Sequence, residues 1–152
     1  MFDGNGIPRD WWKKKWTEEY DKRALCYKEQ YDNIKIPKFN ISLNGTLTLG
    51  ENIADNEGMK IAFRAYKKYA AKLKDSAKSE SVDGFTQDQL FFLGLSQMWC
   101  RKTGEFAIYE RLSDVHPPPE IRVDMAPVLY MVMAVATRLV LIVISSHLLV
   151  TS

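Results

Sequence analysis

Apolar and polar positions alternate along the chain in a way that separates helical stretches from irregular ones. Gly4, Asn5, Gly6 and Pro8 crowd the start with turn formers, which predicts a loop. From Trp11 to about Tyr31, Trp12, Trp16, Tyr20, Ala24 and Tyr27 recur every three or four residues, the period of one helix face. Lys13, Lys14, Glu18, Asp21 and Lys22 fall on the other faces, and Lys13 to Lys15 read as a solvated surface. Residues 32 to 49 carry Pro37 and short alternations such as Ile41 and Leu43, which fit a loop or a short edge strand. A second helix is predicted from Glu51 to about Leu73, with Ile53, Ala54, Ile61, Ala62, Ala65, Tyr66 and Tyr69 as its apolar positions. Lys72 to Gly84 is polar and reads as a surface connection. Thr86 with Gln89 forms a capping-box pattern. The segment it opens, Leu90 to Cys100, is apolar nearly all round and is expected to be a buried helix. Residues 101 to 112 are mixed, and Ser113 to Val123 holds His116 followed by Pro117, Pro118 and Pro119, a stiff loop.

The chain has 152 residues, which suits one globular domain, and this pattern makes it mainly α. With 21 Lys plus Arg against 19 Asp plus Glu, the net charge of +2 is too balanced to build a field for nucleic acid, so no nucleic-acid partner is expected. Only His116 and His147 are present, too far apart for an H-E-x-x-H helix. Cys26 and Cys100 have no zinc-ribbon or redox spacing; one disulfide, two buried thiols and pairing with cysteines outside this sequence all remain open. The N-terminus lacks the basic and apolar regions of a secretory signal. Two sequons, at Asn40 and Asn44, are candidate glycosylation sites and favour an extracellular protein modestly.

Candidate chemistry starts with Glu51 and Asp55, acids at i and i+4 on the helix face shared by Gly58, Ala62, Ala65 and Tyr69. Acids rarely sit on a packing stripe without a partner. Charge complementarity with the helix N-terminus is one reading. A metal ligand at Glu51 with Asp55 as an acceptor orienting a histidine is the other.

The stretch Asn44-Gly45-Thr46-Leu47-Thr48-Leu49-Gly50-Glu51-Asn52-Ile53-Ala54-Asp55-Asn56 resembles the E-x-x-x-D signature of neprilysin-like zinc metallopeptidases, a family that includes endothelin-converting enzymes. Three further segments agree in order: Phe2-Asp3 and Gly6 with Trp11-Trp12; Gln89 to Gly94 with Gln97, Trp99 and Cys100; and Ser113 to His116 with Arg122-Val123. The resemblance covers about residues 2 to 123. It implies an incomplete, C-terminal part of a zincin-type (gluzincin) catalytic domain over residues 1–123, followed by a divergent hydrophobic tail, 124–152.

By resemblance, Glu51 is a zinc ligand and Asp55 holds one of the zinc-binding histidines. His116 corresponds to the histidine that donates to the oxyanion as a peptide carbonyl is attacked, and Arg122 to the arginine that binds the substrate backbone carbonyl. The implied activity is a zinc metalloendopeptidase acting on short peptides at the cell surface or outside it. The alternative is a non-catalytic, truncated member that binds peptides or proteins. The remaining zinc ligands and the general base come, in the family, from an H-E-x-x-H helix preceding this region, so the 152 residues alone are expected to be inactive. The family's cysteine pairing implies a terminal partner for Cys26 and an N-terminal one for Cys100, neither within this sequence.

Glu57 and Pro117 depart mildly from the family pattern, which has Gly and Ser there. The tail departs more. Val128 to Val150 is long enough to span a bilayer, with Arg138 near its middle. A central arginine costs roughly 2.5 to 3.5 kcal/mol on insertion, which the aliphatic content can offset. Membrane contact through residues 128–150 and a replaced terminus with no selected role are the two readings.

Overall fold

The computed structural model describes residues 2–36, 39–73, 84–101 and 103–125. These form mainly helix, as the periodicity predicts, in two compact units that divide between Leu49 and Gly50. The tail from residue 126 onward, with its proposed membrane contact, lies outside the described residues, as does most of the polar connection before Gly84. Among the described residues no helix is long and apolar enough to cross a membrane.

In the first unit a loop closed by a bridge between Phe2 and Pro8 precedes α1, Lys14–Asp32. The loop is shaped by Asp3, whose Oδ1 accepts from Asn5 N at 2.9 Å and Ile7 N at 3.0 Å, and by Gly6, which takes φ +76°. The aromatic stripe predicted along α1 is fully buried only in its second half, although Trp12 and Tyr20 meet edge to face at 5.6 Å. Ala24 and Tyr31 are buried, while Trp16 is 52% exposed and lies under the Lys13 ammonium, 5.5 Å from the ring centre. Two short antiparallel strands follow, β1 (Lys35–Ile36) and β2 (Ile41–Ser42), in register Lys35 to Ser42 and Ile36 to Ile41. Asn40 just before β2 sits at φ 50°, a left-handed conformation that asparagine tolerates better than branched residues.

Asn44 and Gly45 then turn the chain. The Asn44 side-chain oxygen accepts from Thr46 N at 3.1 Å and Leu47 N at 2.9 Å, and Thr48 N returns to the Asn44 carbonyl at 3.1 Å. Gly45 N donates to Asp32 Oδ1 at 2.7 Å, while Lys28 Nζ holds Asp32 Oδ2 at 2.6 Å. A Cβ on Gly45 would collide with the Lys28 carbonyl, so the close approach requires glycine. Together the Lys28 ammonium and the Gly45 N–H hold the Asp32 carboxyl below the ordinary carboxylate range.

The second unit holds α2 (Leu49–Ala70, its first residue at the division), α3 (Gln87–Trp99), α4 (Glu105–Glu110), a 3₁₀ turn (Arg111–Ser113) and α5 (Pro119–Met125). The buried stripe of α2 is Asn52, Asn56, Met59 and Phe63, rotated from the predicted one; Ile61, Ala62, Ala65 and Tyr69 face solvent. The two asparagines hide this stripe from a hydropathy reading, although Asn56 Nδ2 satisfies itself on the Asn52 carbonyl at 2.8 Å. Met59, Phe63 and Phe92 form the core, with Tyr66, Phe91 and Leu95 packed against it. Phe63 lies 5.0 Å from Phe92 and 5.3 Å from Phe91, in tilted aromatic pairs.

The capping box that opens α3 is present: Thr86 N donates to Gln89 Oε1 at 2.8 Å and Gln89 N to Thr86 Oγ1 at 3.3 Å. Lys67 on α2 reaches Asp88 in the first turn of α3 at 2.8 Å. Contrary to the expectation of a fully buried helix, α3 buries only Phe92 and Ser96, and Met98 is 70% exposed. The stiff proline loop is shorter than predicted. Pro117 and Pro118 are buried, and Pro119 opens α5, a position where its missing N–H costs nothing.

Candidate functional site

The second unit brings Glu51, Asp55, His116 and Arg122 together. Glu51 and Asp55 stand one turn apart near the start of α2, beside the buried Asn52 and Asn56 rather than on the packing stripe itself. Arg122 is placed by α5, whose first turn is fixed by Ile121 N and Arg122 N donating to the Pro118 carbonyl. Its guanidinium grips Asp55 with two parallel bonds, Nε to Oδ2 and Nη2 to Oδ1, both 2.6 Å. The Arg122 side chain is only 10% exposed and that of Asp55 19%, so this pair is poorly screened by solvent. Arg122 Nη2 also lies 3.7 Å from Glu51 Oε2, and its Cζ stands 4.0 Å over the ring of Trp99 at the end of α3.

His116 lies in the turn before the prolines. One carboxylate oxygen, Asp114 Oδ1, accepts both the His116 backbone N–H at 3.1 Å and Nδ1 at 3.0 Å. These bonds hold the Asp114 carboxyl below its ordinary range, the backbone N–H more strongly than the ring. On the opposite side of the ring, Nε2 is 3.2 Å from Glu51 Oε2. Because an ionised carboxylate can only accept, Nδ1 must carry the proton facing Asp114, and Nε2 bonds Glu51 only in the imidazolium form. The His116 side chain is 42% exposed, so solvent still reaches it.

The sequence points to these four residues but not to Asp114 or the Trp99 contact. Both stand inside quoted motif segments, and an aspartate two positions before a histidine is the local signal for a turn bond of this kind. Asp55, expected to hold a histidine, has both oxygens on Arg122; each oxygen keeps a further lone pair, so the pairing does not bar a histidine N–H. Asn40 and Asn44 are both exposed. Cys26 and Cys100 are exposed free thiols, which removes the buried-thiol reading.

As a zinc site these residues are incomplete. Among the described residues no three His, Cys, Asp or Glu side chains stand together as metal ligands, and Glu51 Oε2 already faces His116 and Arg122.

The model of Peptidase family M13 matches residues 1–129. The chain belongs to peptidase family M13. This M13 chain is 39% identical over 124 residues to Neprilysin-11 of Caenorhabditis elegans, covering 81% of the chain and 15% of that protein. It is 42% identical over 126 residues to Neprilysin-1 of the same organism, covering 82% of the chain and 17% of that protein. Against Endothelin-converting enzyme 1 of Homo sapiens the identity is 40% over 123 residues, 80% of the M13 chain and 16% of that protein. The M13 chain thus spans about one sixth of the length of these curated relatives.

Proposed function

We propose that the chain is the C-terminal part of the catalytic domain of a zinc metalloendopeptidase that hydrolyses short peptides at the cell surface or outside the cell, with activity residing in a longer protein that supplies the H-E-x-x-H helix. The observation that carries this reading is the cluster itself: Glu51, Asp55, His116 and Arg122, scattered over the sequence, meet within hydrogen-bond or ion-pair distance. Exposure of both sequon asparagines agrees with the extracellular setting.

In this reading Glu51 contributes one carboxylate ligand to the metal. Arg122 presents its guanidinium to a substrate backbone carbonyl, held by Asp55 so that little side-chain entropy is lost when the peptide binds. His116 donates from Nε2 to the oxyanion that develops at the attacked carbonyl, and Asp114 at Nδ1 stabilises the imidazolium that this donation requires. Asp55 additionally accepts from a histidine of the absent helix.

The 152-residue chain and a longer protein containing H-E-x-x-H are to be compared for zinc content by atomic absorption and for cleavage of a quenched peptide. The chain alone is expected to lack both, the longer protein to have both, and Glu51→Ala in the latter to remove bound zinc and cleavage. Zinc and activity surviving Glu51→Ala would overturn the assignment. Saturable peptide binding by the chain alone, without cleavage in the longer protein, would favour a non-catalytic binding module instead.

A further inference from the structure

The two parallel bonds to the Asp55 carboxylate hold the Arg122 guanidinium more firmly against separation than against twisting or tilting of one group relative to the other. A second contact is supplied by Trp99, over whose ring Arg122 Cζ stands 4.0 Å from the centre. That separation is close to van der Waals contact and well inside the range over which a cation is attracted to an indole face. The half-buried indole also strips water from one side of a guanidinium that is only 10% exposed, which strengthens the bonds to Asp55.

The ends of two helices produce this arrangement. Trp99 is the last residue of α3, anchored by Phe92 and Ser96 earlier on that helix, and Arg122 lies in α5, started by the buried prolines. Together they bring a rigid ring against the guanidinium, so Arg122 is constrained by the indole as well as by the Asp55 carboxylate. A leucine at position 99 would fill part of the same space but offers no π face.

We infer that Trp99 is a positioning residue: it stacks on Arg122 and, with Asp55, fixes the orientation in which the guanidinium is presented. The stack is a property of this chain; its role toward a substrate rests on the peptidase reading proposed above.

The test uses the full 152-residue chain, labelled with ¹⁵N-arginine, and reads the Arg122 Nε–H signal. In the unaltered chain the Arg122 side-chain protons are expected to be shifted upfield by the indole ring current, to show nuclear Overhauser contacts to the ring protons, and to exchange slowly with solvent. Trp99→Leu is expected to abolish the upfield shift and to speed Nε–H exchange by about fivefold to thirtyfold, the factor matching a partly desolvated cation–π contact. Trp99→Phe, which retains a smaller π face, is expected to restore part of both. Backbone amide protection at Phe63 and Phe92 serves as the control for intact packing, which a purely space-filling role of Trp99 would alter alongside Arg122. An unchanged Arg122 shift and exchange rate in Trp99→Leu overturns the inference. If that variant does not fold, absence of indole-to-Arg122 Overhauser contacts in the unaltered chain overturns it equally. Neither readout depends on zinc or cleavage, so the stack can fail while the peptidase reading stands, and the reverse.

Discussion

The two units of the chain balance apolar burial and polar bonds differently. In the first, α1 leaves Trp16 half exposed, the buried apolar side chains are Ala24, Tyr31, Ile36 and Leu43, and the turn after β2 is tied down by a few polar bonds meeting at Asp32, Asn44 and Gly45. In the second, an aromatic cluster around Phe63 and Phe92 sets the helices, and the charged site sits on that frame. A polar tether specifies a local backbone path with little buried area. An aromatic core tolerates polar and charged groups at its edge because its own burial bears most of the stability.

The comparison can be broken most forcefully in the second unit. Phe92→Ala removes a side chain 1% exposed and is expected to cost about 3–5 kcal/mol, read as a lowered midpoint in urea and lost exchange protection in α2 and α3. A cost below that of a polar substitution in the first unit would contradict the division of labour. Next comes Asp55→Asn, which leaves the Arg122 guanidinium facing a neutral amide. With both groups mostly buried, the expected loss is about 3 kcal/mol, accompanied by faster exchange at Arg122 Nε–H.

Gly45→Ala probes the first unit. Its new methyl group meets the Lys28 carbonyl, which the helix cannot easily yield, and the expected destabilisation is roughly 1–3 kcal/mol, visible as lost protection at the Gly45 and Thr48 amides. The mildest effect should come from acid. The Asp32 and Asp114 carboxyls are both held below the ordinary 3.8 by partners present only in the folded chain. Their contributions are therefore fully present above the unfolded-state value and are lost as pH falls through the lower folded-state values. Carboxyl ¹³C titration should show both midpoints below the usual carboxylate range, with His116 N–H protection fading as Asp114 protonates.

Local signals in the sequence were read well. The capping box at Thr86 and the helix spans follow from periodicity and from bonds within a few residues. What a hydropathy pattern misses is a stripe containing polar members, as with Asn52 and Asn56, because it cannot anticipate that an amide such as that of Asn56 will bond a carbonyl of its own helix. The same limit hid the exposed face of α3: apolar content predicts a wish for burial, not whether neighbours supply it. At the site, family resemblance points to Glu51, Asp55, His116 and Arg122, yet the pairing of Asp55 with Arg122 depends on how α5 docks against α2, which no spacing encodes, whereas the Asp114 anchor of His116 is a local turn bond.

The Asp55–Arg122 pair also bears on the order of folding. It joins positions 67 apart in the chain, whereas the capping box, the Asp114 turn and the Asp32 tether to Lys28 close over a handful of residues. Closing a long loop must be compensated by contacts already in place, so local turns and helices form early and the α2-to-α5 link forms late. Substitutions at Asp55 or Arg122 should accordingly speed unfolding far more than they slow folding.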